Sequence, residues 1–312
     1  MSAMTAPDFT HVPVMLDEVS AVFDTVPTGV VVDATAGGAG HATAILDAHP
    51  GISVVAVDQD PSAVAVASER LERFGDRAKV RRARFDRVVD VLDELGIERI
   101  SGALFDLGVS SHQFDTPERG FSYRAEAPLD MRMDTDAPRS AHHVVNESSA
   151  EELTSLLRDL ADERFAARIA RAIVAARPID STVHLAEIVA AAIPAPARRR
   201  GGHPAKRTFQ AIRIAVNSEL DLLAGSLRAV VERSRPGARI AVLSYHSGED
   251  RIVKAEFRAL ATGGCHCPVG LPCGCGAVPV VRAVRAASSP SASEIERNPR
   301  GASARLRVVE VL

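Results

Sequence analysis

The chain has 312 residues, of which 46% are apolar and 25% charged, and its mean hydropathy is +0.04. These values exclude a disordered or fibrous chain, and no uncharged apolar run approaches the ~18 residues that a membrane span needs. The first base is Arg70, so the basic start of a secretory signal is missing. We expect a soluble, cytoplasmic globular protein.

Charge is segregated along the chain, although the formal net charge is only −3. Residues 1–69 contain nine acids and no base. Between Glu187 and Glu219 the pattern reverses, and this basic segment contains no acid. Its bases are Arg198, Arg199, Arg200, Lys206, Arg207 and Arg213. Such clustering favours contact with phosphates, and a solvated basic face is the alternative.

The first hundred residues alternate between strand and helix patterns. Short apolar runs, each followed by helical periodicity, predict four strands at Val30–Ala34, Val54–Val57, Val80–Phe85 and Gly102–Leu107. Strands of this buried type between helices are typical of a parallel sheet covered on both faces. The predicted fold class is therefore α/β, with a doubly wound sheet.

A helical insertion is predicted to interrupt this fold. From Glu118 to Leu227 the pattern is loop followed by helix, with long amphipathic stretches at Glu151–Ala176 and Val183–Ile193. Strands return at Ala238–Leu243 and Arg305–Val311, and the small residues of 286–293 predict a flexible loop. We expect a sheet domain of residues 1–115 and 228–312, and an inserted domain of residues 116–227.

A glycine-rich turn follows the first strand, in the order Gly38-Ala39-Gly40-His41. Glycines let the backbone approach a ligand, and this turn matches two glycines of the dinucleotide fingerprint, with Thr43 in place of the third. Asp58 ends the second strand, where an acid accepts hydrogen bonds from ribose hydroxyls. Together they indicate an adenosine-containing cofactor. A helix N-cap is the alternative role for Asp58.

Two further residues are candidates for chemistry. Asp106 ends the fourth strand, where open α/β sheets bind their ligands, and can hold a substrate amine or the cofactor's adenine edge. A turn with an Asx or Ser cap is the alternative. His246 follows the fifth strand, either as a second catalytic candidate or as a structural histidine.

All four cysteines lie within eleven residues, at Cys265, Cys267, Cys273 and Cys275. This spacing is too local for a disulfide framework. Four thiolates are the ligand set of a tetrahedral zinc site, and a mobile loop with free thiols is the alternative.

Several segments, spread over nearly the whole chain, form a recognisable set. They are Asp33-Ala34-Thr35, Gly37-Gly38-Ala39-Gly40-His41, Asp106-Leu107-Gly108-Val109-Ser110-Ser111, Leu129-Asp130-Met131-Arg132-Met133-Asp134, Arg207-Thr208-Phe209-Gln210-Ala211-Ile212-Arg213-Ile214, the stretch from Ser244 to Lys254, and Asn298-Pro299-Arg300. Together they resemble the MraW family of N4-cytosine methyltransferases. The resemblance implies a class I methyltransferase domain interrupted by a helical, substrate-recognising domain. It also implies that S-adenosyl-L-methionine methylates the exocyclic amine of one cytosine in the decoding region of 16S rRNA, within the small ribosomal subunit. No membrane and no obligate protein partner are expected.

The resemblance also implies roles for individual residues. The backbone of Ala39, Gly40 and His41 is expected to meet the methionine end of the cofactor, and Asp58 its ribose. Phe85, Asp106 and Gln113 are expected around the adenosine, and Asp106 and His246 are the catalytic candidates. The chain departs from the family at Ala39, where glycine is common, and at Gly248, where leucine is common.

The same resemblance gives the loops after the fourth strand a role. Phe114, Phe121 and Tyr123 are candidates to stack on the target base, with core packing as the alternative. The basic segment is expected to contact rRNA phosphates.

Two other functions compete with methyl transfer. A dinucleotide-dependent oxidoreductase explains the glycine turn and Asp58, but neither the Asp106 run nor the basic segment. A non-catalytic RNA-binding factor explains the basic segment, but gives the glycine-rich N-terminal third no purpose.

Overall fold

A computed structural model describes residues 13–198, 202–268 and 274–312. These residues form two compact units. The first combines the chain up to Gly108 with Leu222–Leu312, and the second is Val109–Asp221. We call them the sheet unit and the helical unit.

Seven strands of the described residues form one sheet in the sheet unit. They are β1 (Gly29–Asp33), β2 (Ile52–Asp58), β3 (Ala78–Arg82), β4 (Ile100–Asp106), β5 (Ser234–Ser244), β6 (Val281–Ala283) and β7 (Arg305–Val311). Their order is β3-β2-β1-β4-β5-β7-β6. The first five strands are parallel, and β7 pairs antiparallel with β5 and β6. The strand order reverses between β1 and β4, so ligands are expected at their carboxyl ends.

The described helices alternate with these strands and also fill the helical unit. They are α1 (Leu16–Val22), α2 (Gly40–Ala48), α3 (Pro61–Leu71), α4 (Val88–Glu94), α5 (Ser111–Asp115), α6 (Ala141–Glu147), α7 (Ala150–Ala161), α8 (Ala166–Ala175), α9 (Thr182–Ala192), α10 (Ala195–Arg198), α11 (Lys206–Asn217), α12 (Leu223–Glu232), α13 (Ser247–Thr262) and α14 (Ala292–Arg297). Helices α5 to α11 belong to the helical unit.

Both faces of the sheet are buried under apolar side chains. Neighbouring residues of one strand join different clusters: Val31 and Leu104 pack in one, and Val32 and Phe105 in the other. β-branched residues suit such strands, because their branched side chains pack well on a pleated surface. The predicted doubly wound α/β sheet is confirmed.

The compact units are divided at positions different from the predicted domain boundaries. The helical unit begins at Val109 rather than at residue 116, and ends at Asp221 rather than at 227. The chain leaves the sheet at the end of β4 and turns at Gly108, whose φ is +92°. At the other boundary, Leu223 and Leu227 of α12 pack in the core of the sheet, so all of α12 belongs to the sheet unit.

Two predicted segments are more divided than the sequence indicates. The amphipathic stretch Glu151–Ala176 forms two helices, because the chain turns at Asp162 in a left-handed conformation after α7. Residues 286–293, predicted to be a flexible loop, are mostly exposed, but they are anchored at two points and run into a helix. Pro290 is buried, Ser288 accepts a hydrogen bond from the Leu306 N–H at 3.2 Å, and α14 begins at Ala292.

The helical unit has its own apolar core. Side chains from α6, α7, α8, α9 and α11 form one buried cluster, which includes Leu153, Ile169, Leu185 and Ile212. The loop between α5 and α6 is fixed to this core by polar contacts. The Asn217 side chain accepts the Met133 N–H and donates to the Met131 carbonyl, both at 2.8 Å.

Among the described residues, no helix is both long and apolar enough to span a membrane.

Candidate active site

Three acids end neighbouring strands of the sheet. Asp33, Asp58 and Asp106 are the last residues of β1, β2 and β4, and β1 lies between the other two strands. Parallel strands bring their carboxyl ends to the same edge, so the three carboxyl groups form one acidic cluster. Burial raises the pKa of Asp33 to about 7, with Asp106 and Asp58 adding to the rise and His41 opposing it. The site therefore favours a positively charged neighbour.

The glycine turn lies beside this cluster and uses two left-handed residues. Gly37 has a φ of 49°, and Ala39 has a φ of 58° as the N-cap of α2. Ala39 is fully buried, and its N–H donates to the Ala36 carbonyl at 2.6 Å. The turn therefore keeps a positive φ at the alanine, where such a backbone costs about 1–2 kcal/mol relative to glycine.

Asp58 links the end of β2 to the glycine turn. One carboxylate oxygen accepts the Gly37 N–H at 2.8 Å and the other accepts the Asp60 N–H at 2.9 Å. The cap of α3 is Asp60, which accepts from Ser62, so the alternative role of Asp58 as that cap is wrong. Desolvation raises the pKa of Asp58 to about 6, against the lowering effect of these hydrogen bonds. The Gln59 N–H contributes to the same lowering, and a carboxylate offers about four lone-pair sites, so at least one remains for a ligand hydroxyl.

His41 is buried in the first turn of α2 and faces the acids. Its Nε2 atom lies 3.5 Å from Oδ2 of Asp106, and its side chain is 5% exposed. Neither ring nitrogen makes a hydrogen bond within the described residues. A buried imidazole without hydrogen bonds is costly in an otherwise finished core, so this position suits a ring that contacts a ligand.

Asp106 is held by residues of two other strand ends. Its N–H donates to Oγ1 of Thr35 at 2.6 Å, and the Tyr245 hydroxyl donates to its Oδ1 atom at 2.7 Å. Burial, and then the charge of Asp106, raise the pKa of Tyr245 well above 10, so Tyr245 stays a donor. The Asp106 side chain is 24% exposed, compared with 1% for Asp33.

Tyr245 is the site residue that the sequence analysis missed. It directly follows β5, and Asp106 on β4 is paired in register with Leu243 on β5. Two residues beyond that pair, the tyrosine lies at the same edge of the sheet as the acid. Its position immediately before His246, just past a predicted strand, is the signal that identifies it.

The structure places His246 as the N-cap of α13. Its Nδ1 atom accepts the N–H groups of Gly248 and Glu249 at 3.2 and 3.4 Å, and its Nε2 atom lies 3.2 Å from a Glu249 carboxylate oxygen. These contacts fit the alternative that His246 is a structural histidine. The side chain is 12% exposed, and a catalytic role for it stays a prediction.

The two remaining candidates for the adenosine site lie in different units. Phe85 is 7% exposed in the core of the sheet unit, where its ring meets the Phe105 ring edge-on at 6.2 Å. Gln113 belongs to α5 of the helical unit and is 4% exposed. Its side-chain oxygen accepts the Ser110 N–H at 3.0 Å, and its own N–H donates to the Ser110 hydroxyl. Gln113 thus closes a capping box in this structure.

The three aromatic candidates for base stacking differ in exposure. Phe121 is 5% exposed in the core of the helical unit, which is the core-packing alternative. The Tyr123 ring stacks on His203, with centroids 4.2 Å apart and planes inclined by 11°. Phe114 is 38% exposed and has the most accessible ring of the three.

Comparison with known proteins decides the family. The MraW methylase family matches residues 8–312. The chain belongs to the MraW methylase family.

Three relatives are named ribosomal RNA small subunit methyltransferase H. The chain is 50% identical to that of Mycobacterium sp. (strain KMS), over 96% of this chain and 83% of the relative. It is 49% identical to that of Mycolicibacterium smegmatis, over 99% and 86%. It is 49% identical to that of Symbiobacterium thermophilum, over 96% of each chain.

The protein is accordingly a methyltransferase that uses S-adenosyl-L-methionine, and its glycine turn fits this cofactor. The cofactor carries a sulfonium and an ammonium group, and the cluster of three acids suits both charges. Gly37, Gly38 and Gly40 of the turn are half-buried, and neither ring nitrogen of His41 makes a hydrogen bond within the described residues. The residues that suit the cofactor in the sheet unit are Ala39, Gly40, His41, Asp58 and Asp106. The family departure at Gly248 lies in the first turn of α13, where its N–H serves the His246 cap.

Proposed function

We propose that this methyltransferase modifies the exocyclic N4 of one cytosine in the decoding region of 16S rRNA, within the small ribosomal subunit. The names of the relatives support the class of substrate, because each is called a ribosomal RNA small subunit methyltransferase. The cytoplasm, where ribosomal subunits are assembled, is the proposed location.

The exposure and the hydrogen bonds of Asp106 are the observations that favour an amine as the methyl acceptor. N4 of cytosine is conjugated with its ring, so its lone pair is a poor nucleophile until a group accepts hydrogen bonds from the amine. Asp106 combines a partly exposed carboxylate with a Tyr245 hydroxyl that holds one oxygen at 2.7 Å. The other oxygen, 3.5 Å from Nε2 of His41, can accept from an amine, whereas Asp33 is 1% exposed.

Methyl transfer to this amine needs no strong base from the protein. S-adenosyl-L-methionine supplies an electrophilic methyl group when it is bound. Asp106 orients the N4 amine and draws its lone pair out of conjugation, which is positioning and electrostatic assistance rather than strong base catalysis. As the N–CH₃ bond forms, the bond from this methyl group to the cofactor's sulfur would break and leave S-adenosyl-L-homocysteine. The nitrogen becomes cationic, and Asp106 or solvent takes the proton that it loses. We keep His246 as a second candidate that positions the base.

The helical unit is proposed to recognise the RNA. Arg198, Lys206 and Arg207 are exposed, although the Arg207 guanidinium also donates to the Asp162 carbonyl at 2.6 Å. Arg213 must be removed from the predicted phosphate contacts. It pairs with Glu219 through two hydrogen bonds of 2.9 Å, and both side chains are nearly buried. Arg199 and Arg200 lie outside the described residues.

Nucleoside mass spectrometry tests the proposal. Small subunits and naked 16S rRNA lacking the modification are incubated with the protein and isotopically labelled S-adenosyl-L-methionine, and the labelled nucleoside is identified. We expect N4-methylcytidine at one decoding-region position, and no label with Asp106→Ala. Asp76→Ala, at an exposed acid of the same unit, is the matched control and is expected to keep full activity. A label on C5 or on a ribose oxygen would falsify the assignment to an amine.

A further inference from the structure

The loop after α13 brings three of the four cysteines to one point. The Sγ atoms of Cys265, Cys267 and Cys275 all lie within 4.8 Å of one another. Cys265 and Cys267 come before residues 269–273 in the sequence, and Cys275 comes after them. Cys273 lies outside the described residues and is not used in the argument. The methyl-transfer site uses none of these thiols.

The base of this loop is fixed without the cysteines. Helix α13 ends at Gly263 in a left-handed conformation, with a φ of 59°. The returning chain passes against this glycine, where a Cβ would collide with the backbone of Val278. The Val280 N–H then donates to the Leu260 carbonyl at 3.0 Å. The backbone therefore returns the second half of the loop to the first, and the thiols face each other across it.

The spacing of the thiols suits a shared cation rather than a disulfide. A Zn–S bond of about 2.3 Å in a tetrahedral site places neighbouring sulfurs about 3.8 Å apart. The Sγ atoms of Cys265 and Cys275 are 3.6 Å apart, and none of the three cysteines is in a disulfide. A disulfide would need about 2.05 Å between its sulfurs.

Cationic side chains lie beside the cluster, and the negatively charged thiolate is the form of cysteine that binds metal. A groove beside the cluster contains Cys265 and three cationic side chains of one face of α13, which offset the negative charge of several thiolates on one ion. These are Arg251, Lys254 and Arg258.

Apolar packing does not hold the loop. Every described residue of 264–268 and 274–279 is exposed or half-buried, and Val278 is 72% exposed. A segment without a core is commonly held by a metal or a covalent link, and here three metal-binding side chains converge.

We propose that Cys265, Cys267 and Cys275 bind one structural zinc ion, which closes the loop after α13. The ion takes no part in methyl transfer, so this site is independent of the proposed function. The thiols lose their protons on binding, and the zinc keeps its charge throughout.

Metal analysis of the full chain tests this proposal. The protein is purified under reducing conditions without chelator, and zinc is measured by mass spectrometry. We expect about one zinc per chain, and less than about a tenth of that in Cys265→Ser and in Cys275→Ser. Val278→Ser introduces the same residue at an exposed position of the loop and is expected to retain the zinc.

Cobalt gives a second readout that needs no variant. Chelator-stripped wild-type protein, titrated with Co²⁺, is expected to develop the thiolate charge-transfer band and the visible spectrum of tetrahedral cobalt, and zinc is expected to displace both. The proposal is overturned if reduced wild-type protein binds neither ion. It is equally overturned if both serine variants retain zinc, or if intact mass shows a disulfide among these residues in freshly purified protein.

Discussion

The burial of Asp33 predicts an unusual dependence of stability on pH. An acid whose pKa is raised by folding stabilises the folded state below its unfolded pKa. That stability is lost as the pH rises through the folded value. For Asp33 the pKa rises from 3.8 to about 7, so the loss occurs between about pH 4 and pH 7. We expect Asp33→Asn, which is neutral at every pH and keeps an oxygen for the Thr35 N–H, to remove this loss.

The magnitude follows from the shift. At about 1.4 kcal/mol per pKa unit, a rise of about 3 units lowers the free energy of unfolding of the wild type by about 4 kcal/mol in total. About 2.5 kcal/mol of this loss occurs between pH 5 and pH 8. Asp58, with a pKa of about 6, loses stability over the same range, but it does so in both proteins. The difference between wild type and variant therefore reports Asp33 together with its coupling to Asp58 and Asp106.

Urea unfolding of the cofactor-free protein at pH 5, 6, 7 and 8 measures this difference. The free energy of unfolding of Asp33→Asn is expected to gain about 2.5 kcal/mol relative to wild type between pH 5 and pH 8. Asp76→Asn, at an exposed position, serves as the control and is expected to follow the wild type. Parallel curves for wild type and Asp33→Asn would refute the argument from burial.

Three further changes have defined outcomes. Tyr245→Phe removes the donor to Asp106, so single-turnover methylation should slow by about a hundredfold. Cofactor affinity, measured by calorimetry, should stay within about twofold of wild type. An unchanged methylation rate would contradict this role. Gly40→Ala places a Cβ against a proline ring, and urea unfolding should show a loss of about 1–3 kcal/mol, whereas wild-type stability would mean that the ring moves freely. Arg213→Ala removes both guanidinium hydrogen bonds to the Glu219 carboxylate, whose side chain is 8% exposed, and should cost about 3–5 kcal/mol. A loss below about 1 kcal/mol would show that Glu219 relaxes to solvent.

The sequence predicted the sheet well because its signals are local. Runs such as Val30-Val31-Val32 form strands that are buried on both faces, and a chain of alternating strands and helices has few ways to pack. Asp58 and Asp106 were found for the same reason, since each ends a recognisable strand. Pro61 at the start of α3 has the same local origin, because its fixed φ suits the first position of a helix.

The tertiary structure determined which groups each side chain contacts. Tyr245 is 139 residues from Asp106 in sequence, and only the pairing of β5 with β4 brings its hydroxyl to the carboxylate. Arg213 belongs to the basic segment of the sequence, but in the structure it forms a nearly buried ion pair with Glu219. Periodicity records which face of an element is apolar, not which polar group lies opposite across the fold. The partners of Asp106 and Arg213, and hence their chemistry, are therefore properties of the folded chain.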